Sequence, residues 1–144
     1  MKKLALVVVS AFLLLMMPQA SAANTVIRIT APIHQTYSGE FRNDDLVEKL
    51  TPSGQLGQLI FRPVEKYRTW VIDPALVDEI LAMTTTYKLA TGAEPSGTEI
   101  AFDWMMQLRK VTADNDVIAL PYGNPDVQLA KKLAPSELLS LIHI

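Results

Sequence analysis

The sequence predicts an α/β fold, a partial (β/α)-barrel-like parallel sheet in the order βααβααβα, preceded by a signal peptide. Three observations predict it. Two stretches, Thr69 to Ile80 and Asp116 to Leu129, follow one grammar: an apolar run, a polar residue with a proline, then a run with helical spacing. The apolar run Trp70-Val-Ile72 does not alternate with polar residues, as suits a strand covered on both faces. Helical segments separate all three candidate strands, which implies parallel pairing through right-handed crossovers.

The elements follow in order. Lys2 and Lys3, the apolar stretch Leu4 to Met17, Pro18 and the small-x-small site Ala20-Ser21-Ala22 form an export signal, residues 1–22. That stretch is shorter than the ~20 residues a membrane span needs, and no cysteine follows it for lipid attachment. Thr25 to Thr30 alternates and is β-branched, a first strand. Ala31 to Arg42 reads as a long loop. Asn43 caps a short helix ending at Leu50, with Asp44 and Asp45 in its first turn. Thr51 and Pro52 suit the start of another helix, with Leu56, Leu59 and Ile60 on one face. Gly54 and Gly57 weaken that expectation.

Trp70 to Ile72 is the second strand. Asp73 caps and Pro74 opens a helix lined inside by Leu76, Ile80, Leu81 and Met83 or Thr84. Lys88 to Gly97 is a loop. Ser96 or Thr98 caps a helix with Ile100, Ala101, Trp104, Leu108 and Val111 at helical intervals. Val117 to Leu120 is the third strand, Pro121 to Pro125 a tight loop, and Asp126 to Leu133 a last helix stopped near Pro135. Three strands are few for a parallel sheet, so residues 23–138 read as the N-terminal part of a larger barrel-like domain. The last six residues, Leu139 to Ile144, have the sequence of a translated sequencing-library end and read as a non-native tail.

Composition bounds the function. Without Lys2 and Lys3 the chain keeps 11 basic residues against 15 acidic ones, a net charge of −4. Such a domain has no electrostatic basis for binding nucleic acid, and no cationic run suits an anionic membrane. Membrane contact is expected only through the signal or an anchor beyond this sequence. The chain has no cysteine, so an exported domain must hold by burial alone.

In a parallel α/β array, ligands bind at the carboxyl ends of the strands. Three groups of residues fall there: His34, Gln35, Tyr37 and Glu40 after strand one; Asp73 after strand two; Tyr122, Asn124 and Asp126 after strand three. Asp73 fits a helix cap as well as a cleft carboxylate, and the roles can coexist. The loop Pro121-Tyr-Gly-Asn-Pro-Asp126 displays an aromatic ring, an amide and an acid on a stiff backbone. Sugars are held by that mixture, the ring stacking on an apolar sugar face and the polar groups binding hydroxyls. A tight turn with Asn124 as cap accounts for the same residues.

Paired carboxylates are the minimal equipment of a glycosidase, which makes Asp73 and Asp126 the candidate catalytic pair. Tyr122, Asn124 and His34 are the candidate substrate-binding groups. A single histidine in this region, with no second histidine or cysteine near it, argues against a metal site. No phosphate loop, dinucleotide fingerprint or Gly-x-Ser-x-Gly occurs, so no cofactor is expected. Trp70 and Trp104 fall on element interiors and are expected in the core.

Trp70 to Ile80, then Met83, Tyr87 and Trp104, then Val117 to Val127 resemble a family of secreted, membrane-anchored bacterial proteins of unknown function. Asp44-Asp-Leu46 and Gly54-Gln-Leu56 fit the same pattern, and the resemblance spans about Thr25 to Leu133. Leu120-Pro-Tyr followed by Pro125-Asp126 is its most distinctive part. The N-terminal region of that family resembles the (β/α) barrels of glycoside hydrolases and polysaccharide deacetylases. The resemblance implies an exported cell-envelope protein that processes or binds cell-wall or extracellular carbohydrate. A non-catalytic envelope scaffold or interaction domain is the alternative. The His-x-x-x-His metal motif of a typical deacetylase is missing, and Asp44-Asp45 opens a helix rather than ending a strand.

Overall fold

The computed structural model describes residues 25–62 and 68–133. The elements are β1 (Thr25–Ile29), α1 (Asp45–Leu50), α2 (Gln55–Phe61), β2 (Arg68–Ile72), α3 (Pro74–Met83), α4 (Thr98–Thr112), β3 (Asp116–Ala119) and α5 (Val127–Leu133). The expected order βααβααβα is present. The signal peptide, Pro135 and the tail at 139–144 lie outside the described residues.

The three strands form one sheet in the order β1-β2-β3, and both pairings are parallel. Sheet order therefore equals sequence order. The register aligns Ile27 with Trp70 and Ile29 with Ile72, and then Trp70 with Val117 and Ile72 with Ala119. Because side chains alternate across a strand, these six share one face. Ile27, Ile29, Trp70 and Ile72 are buried there. They join one core with Leu46 and Leu50 of α1, Leu56 and Ile60 of α2, Leu76, Ile80 and Met83 of α3, and Ala101, Trp104 and Leu108 of α4. Helices α1 to α4 thus bury their apolar stripes on the same side of the sheet.

The other face carries Val26, Arg28, Thr69, Val71 and Ile118. Thr69 is buried, Val71 is half-buried, and Val26, Arg28 and Ile118 are exposed. A doubly wound sheet places helices on both faces. Here helices α1 to α4 cover one face, and the strands run in sequence order with the sheet unclosed. The expectation that both faces of β2 are covered is corrected to this extent: its helix-facing residues Trp70 and Ile72 are buried, while Val71 is only partly so.

Other expectations change as well. The N-cap residue of α1 is Asp44 rather than Asn43. Thr51 and Pro52 do not start α2. Thr51 Oγ1 donates to Glu48 O at 2.8 Å and accepts from Gly54 N at 3.1 Å, which makes 51–54 a tight turn. Gly54 is the N-cap residue of α2. The glycines enable this turn rather than weaken the helix. A Cβ on Gly54 would lie 2.1 Å from Glu48 O, and one on Gly57 1.8 Å from Thr51 O. On α3, Leu81 points outward at 53% exposure while Glu79 is buried, which puts a charge where an apolar residue is expected.

Loop 30–44 is more ordered than its composition suggests. It folds back as a small hairpin, with Thr36 N donating to Glu40 O and Arg42 N to His34 O. Phe41 is buried, bonds the backbone at Lys88 and Ala90, and packs edge-on against Tyr87 at 5.1 Å between ring centroids. Asp44 completes the seam. Its Oδ1 accepts from Tyr87 Oη at 2.6 Å, and its Oδ2 from Ser96 N and Oγ at 2.9 and 2.7 Å. Ser96 is thereby engaged with Asp44, and Gly97 is the N-cap residue of α4.

Candidate functional site

The three strand-end loops meet because the sheet brings them side by side. Asp73 N donates to Ile29 O, and Leu120 N donates to Ile72 O, extending the ladder one residue beyond the strands. Asp73 sits between the loops at 1% exposure. Its Oδ1 accepts from Ala75 N at 3.0 Å, which caps α3, and from Gly123 N at 3.0 Å, which holds the third loop. One buried oxygen therefore joins both strand-to-helix handovers. Pro74 at the first helical position supplies the fixed φ that lets this cap form.

The third loop is stapled on both sides of that point. Gly123 and Asn124 both have positive φ, 73° and 43°, a conformation open to glycine and tolerated by asparagine. Asn124 Oδ1 accepts from the Arg28 guanidinium at 2.7 Å, reaching over β2 to β1. Tyr122 Oη donates to Asp78 Oδ2 at 3.0 Å, on the first turns of α3. The bond to the Asp78 carboxylate, with partial burial, raises the Tyr122 phenol above its ordinary value. The Tyr122 ring remains 45% exposed.

Asp126 is exposed, and its Oδ1 accepts from Leu129 N at 2.9 Å. That is an N-cap contact for α5. The sequence pairs Asp73 with Asp126 as acid and base. In the structure each carboxylate holds the start of its own helix, and Gly123 rather than Asp126 contacts Asp73. Tyr122 and Asn124 face opposite ways from one loop, toward α3 and β1.

His34 sits inside the fold at 8% exposure, not on a ligand-facing surface. Glu79 Oε1 accepts from both His34 N and Gln35 N at 2.7 Å, and Glu79 Oε2 lies 3.4 Å from His34 Nδ1. On the other side of the ring, Lys49 Nζ lies 3.0 Å from His34 Nε2. An ammonium can only donate, so Nε2 accepts and the ring proton sits on Nδ1, facing Glu79. Burial would raise the Glu79 carboxyl, but the donors from His34 and Gln35 outweigh it and hold it below the usual carboxylate value. Sequence reasoning overlooked Glu79 and Lys49. Glu79 sits three residues past Leu76 and one before Ile80, on the buried side of α3, and that position was the available signal.

Two apolar grooves lie on the helix side of the sheet, and one of them borders β3. The one that borders β3, about 300 Å³, is lined by Ile72, Pro74, Val77, Leu108, Val117 and Ala119 with Asp78, the partner of Tyr122. The other, about 370 Å³, runs between α3 and α4 past Leu81, Phe102, Met105 and Met106. Neither is lined by the strand-end polar residues. Among the described residues no three His, Asp or Glu side chains converge as metal ligands, and no helix is long and apolar enough to cross a membrane. No family model, curated protein or solved structure matches this chain.

Proposed function

We propose that this chain is an exported cell-envelope protein whose barrel-like domain binds carbohydrate without cleaving it. The observation that carries the second half is Asp73. A strand-end carboxylate at 1% exposure, whose Oδ1 accepts two backbone N–H groups, is built to position loops. Asp126 is likewise engaged as a helix cap. A glycosidase needs one carboxyl free to give a proton and another to attack or to activate water. The stapled loop Pro121–Asp126 instead offers a half-exposed ring and a fixed amide, groups suited to holding a sugar.

The barrel reading rests on the sheet. Three parallel strands in sequence order, with helices α1 to α4 on one side, repeat the winding of a (β/α) barrel's first units. In that reading the face with Val26, Arg28 and Ile118 turns toward the barrel interior, and β3 pairs with a further strand. Export rests on the Lys2 to Ala22 pattern, and cleavage after Ala22 is its direct check by N-terminal sequencing of the secreted product.

The function is tested by affinity electrophoresis of the full chain through gels containing cell-wall or extracellular polysaccharides. Retardation is expected with at least one, weakened about three- to tenfold by Tyr122→Ala, the worth of one aromatic contact. Asp126→Asn leaves retardation unchanged. No retardation by any polysaccharide overturns the binding reading. Release of reducing sugar that disappears in Asp73→Asn overturns the non-catalytic one.

A further inference from the structure

The cluster of Glu79, His34 and Lys49 joins three separate pieces of the fold, and no binding role absorbs it. Glu79 comes from α3, Lys49 from α1, and His34 from the hairpin after β1. We infer that these three residues form a proton-operated latch that holds the hairpin at residues 30–44 against α1 and α3, and that acid releases its α1 side.

The two sides of the ring differ in chemistry. Toward α3, His34 Nδ1–H faces Glu79 Oε2 at 3.4 Å, and the same carboxylate takes the His34 and Gln35 backbone N–H groups at 2.7 Å. Protonation of the imidazole leaves every one of these contacts in place and adds a charge opposite to that of Glu79. Toward α1, Lys49 Nζ sits 3.0 Å from Nε2 as a donor to a lone pair. Protonation puts a hydrogen on Nε2. Two donors, both cationic, then face each other at hydrogen-bond distance, and that contact must break.

Lys49 has somewhere to go. It is half-buried, and Asp45 stands one turn earlier on α1, at the i−4 spacing that favours an acid–lysine pair. Among the described residues, Asp45 Oδ2 takes the exposed Asn43 amide, at 2.6 Å. The charged groups that meet the ring are Glu79 from α3 and Lys49 from α1. Glu40 and Arg42 lie on its own hairpin, and Arg42 joins His34 through backbone N to O. Helix α3 carries no basic residue to oppose the move. Histidine is the side chain whose charge ordinarily changes between about pH 5 and 8.

The consequence is directional. The hairpin stays tied to α3 through Glu79 and loosens from α1. It carries one of the three strand-end loops, so acid changes the shape of that end of the sheet whatever ligand it takes.

Amide hydrogen exchange of the full chain, corrected for the intrinsic pH dependence of exchange, tests this. Protection of the Thr36 and Arg42 amides should fall about tenfold from pH ~8 to pH ~5, while that of α3 amides holds. Lys49→Met removes the opposing charge, and the pH dependence should vanish with the hairpin still protected. His34→Gln keeps a donor for Glu79 and an acceptor for Lys49 without a titrating ring, and should give the same flat profile. A flat profile in the parent chain overturns the latch. So does a parent-like fall in Lys49→Met, because the loss would then owe nothing to the ammonium. Glu79→Gln is the less informative variant, since it can unfold the hairpin outright.

Discussion

The two strand-to-helix handovers have nearly the same wording in sequence and very different surroundings in space. At the first, Trp70 is 0% exposed, Ile72 8% and Asp73 1%. At the second, all four residues of β3 are exposed and Asp126 caps α5 in the open. Both show the local chemistry that the pattern calls for: an acid accepting a backbone N–H from the first turn of a helix. The contrast teaches that the pattern specifies the turn, whereas burial is set by neighbours. β2 has a strand on each side and α3 and α4 over its helix-facing residues. β3 has β2 on one side among the described residues, and its Val117 and Ala119 line a groove.

The sharpest way to break this comparison is at the paired positions Trp70 and Val117, which face each other in register. Trp70→Ala should destabilise the domain by about 3–5 kcal/mol, as loss of a fully buried large side chain does. Val117→Ala, at a site 52% exposed, should cost about 0.5 kcal/mol or less. Urea unfolding of the full chain measures both. A cost near 2 kcal/mol at Val117 would mean that β3 is covered in solution, and the contrast between the handovers would disappear.

Next come the two caps. Asp73→Ala removes the cap of α3 and leaves the Gly123 N–H without its partner. The expected cost is about 2–3 kcal/mol, the sum of a lost cap and an unsatisfied N–H in a partly buried place. Asp126→Ala removes an exposed cap only, at about 0.5–1 kcal/mol. Equal costs would show that the buried oxygen does not join the two handovers. Hydrogen exchange at the Gly123 amide, protected in the parent and open in Asp73→Ala, locates the effect.

Acid should separate the regions as well. Glu79 and Asp44 both titrate below their ordinary values of 4.5 and 3.8, because hydrogen bonds from His34 and Gln35, and from Tyr87 and Ser96, outweigh burial. A depressed carboxyl contributes stability that is fully present above its unfolded value and is lost as pH falls through the folded one. Stability should therefore decline below about pH 4.5. Glu79→Gln should flatten the upper part of that decline, with a loss at neutral pH of about 1 kcal/mol or more. Tyr87 carries the opposite sign. Burial and the Asp44 carboxylate push its phenol up to about 12. Its share of the stability is present below the ordinary value of 10 and is lost as pH rises toward 12.

Much of this was legible beforehand, and the failures have physical causes. The strands, the parallel order and the cap at Asp73 follow from local rules that act within a few residues: β-branched runs, helical spacing, an acid before a proline. Trp104 and Trp70 in the core follow from periodicity. What the sequence concealed depends on separation. The spacing of α3 puts Glu79 on its buried side, but the His34 and Gln35 N–H groups that satisfy it come from 45 and 44 positions away. The α2 start is misplaced in the sequence because Thr51 and Pro52 look like a cap and a first helical residue, whereas Thr51 closes a turn and the missing side chain of Gly54 lets the helix begin close to α1. Asp73 and Asp126 share a pattern, but nothing in the pattern says that Gly123, rather than Asp126, reaches Asp73.

The smallest expected effect tests whether the third loop is built or merely surface. Tyr122→Phe removes the hydrogen bond to Asp78 while keeping the ring. Because the side chain is 45% exposed, water replaces that bond at little cost, and the loss of stability should be about 0.5 kcal/mol or less. The loop has two other fastenings, Asn124 to Arg28 and Gly123 to Asp73, so its backbone should not move. What should change is the ring. Without the carboxylate it is free to swing from α3, and its aromatic NMR signals should sharpen while the Gly123 and Asn124 amide signals stay in place. Amide shifts throughout 121–126 would mean instead that Tyr122 is the main fastening, and that this handover, unlike the one at Asp73, is held together from outside.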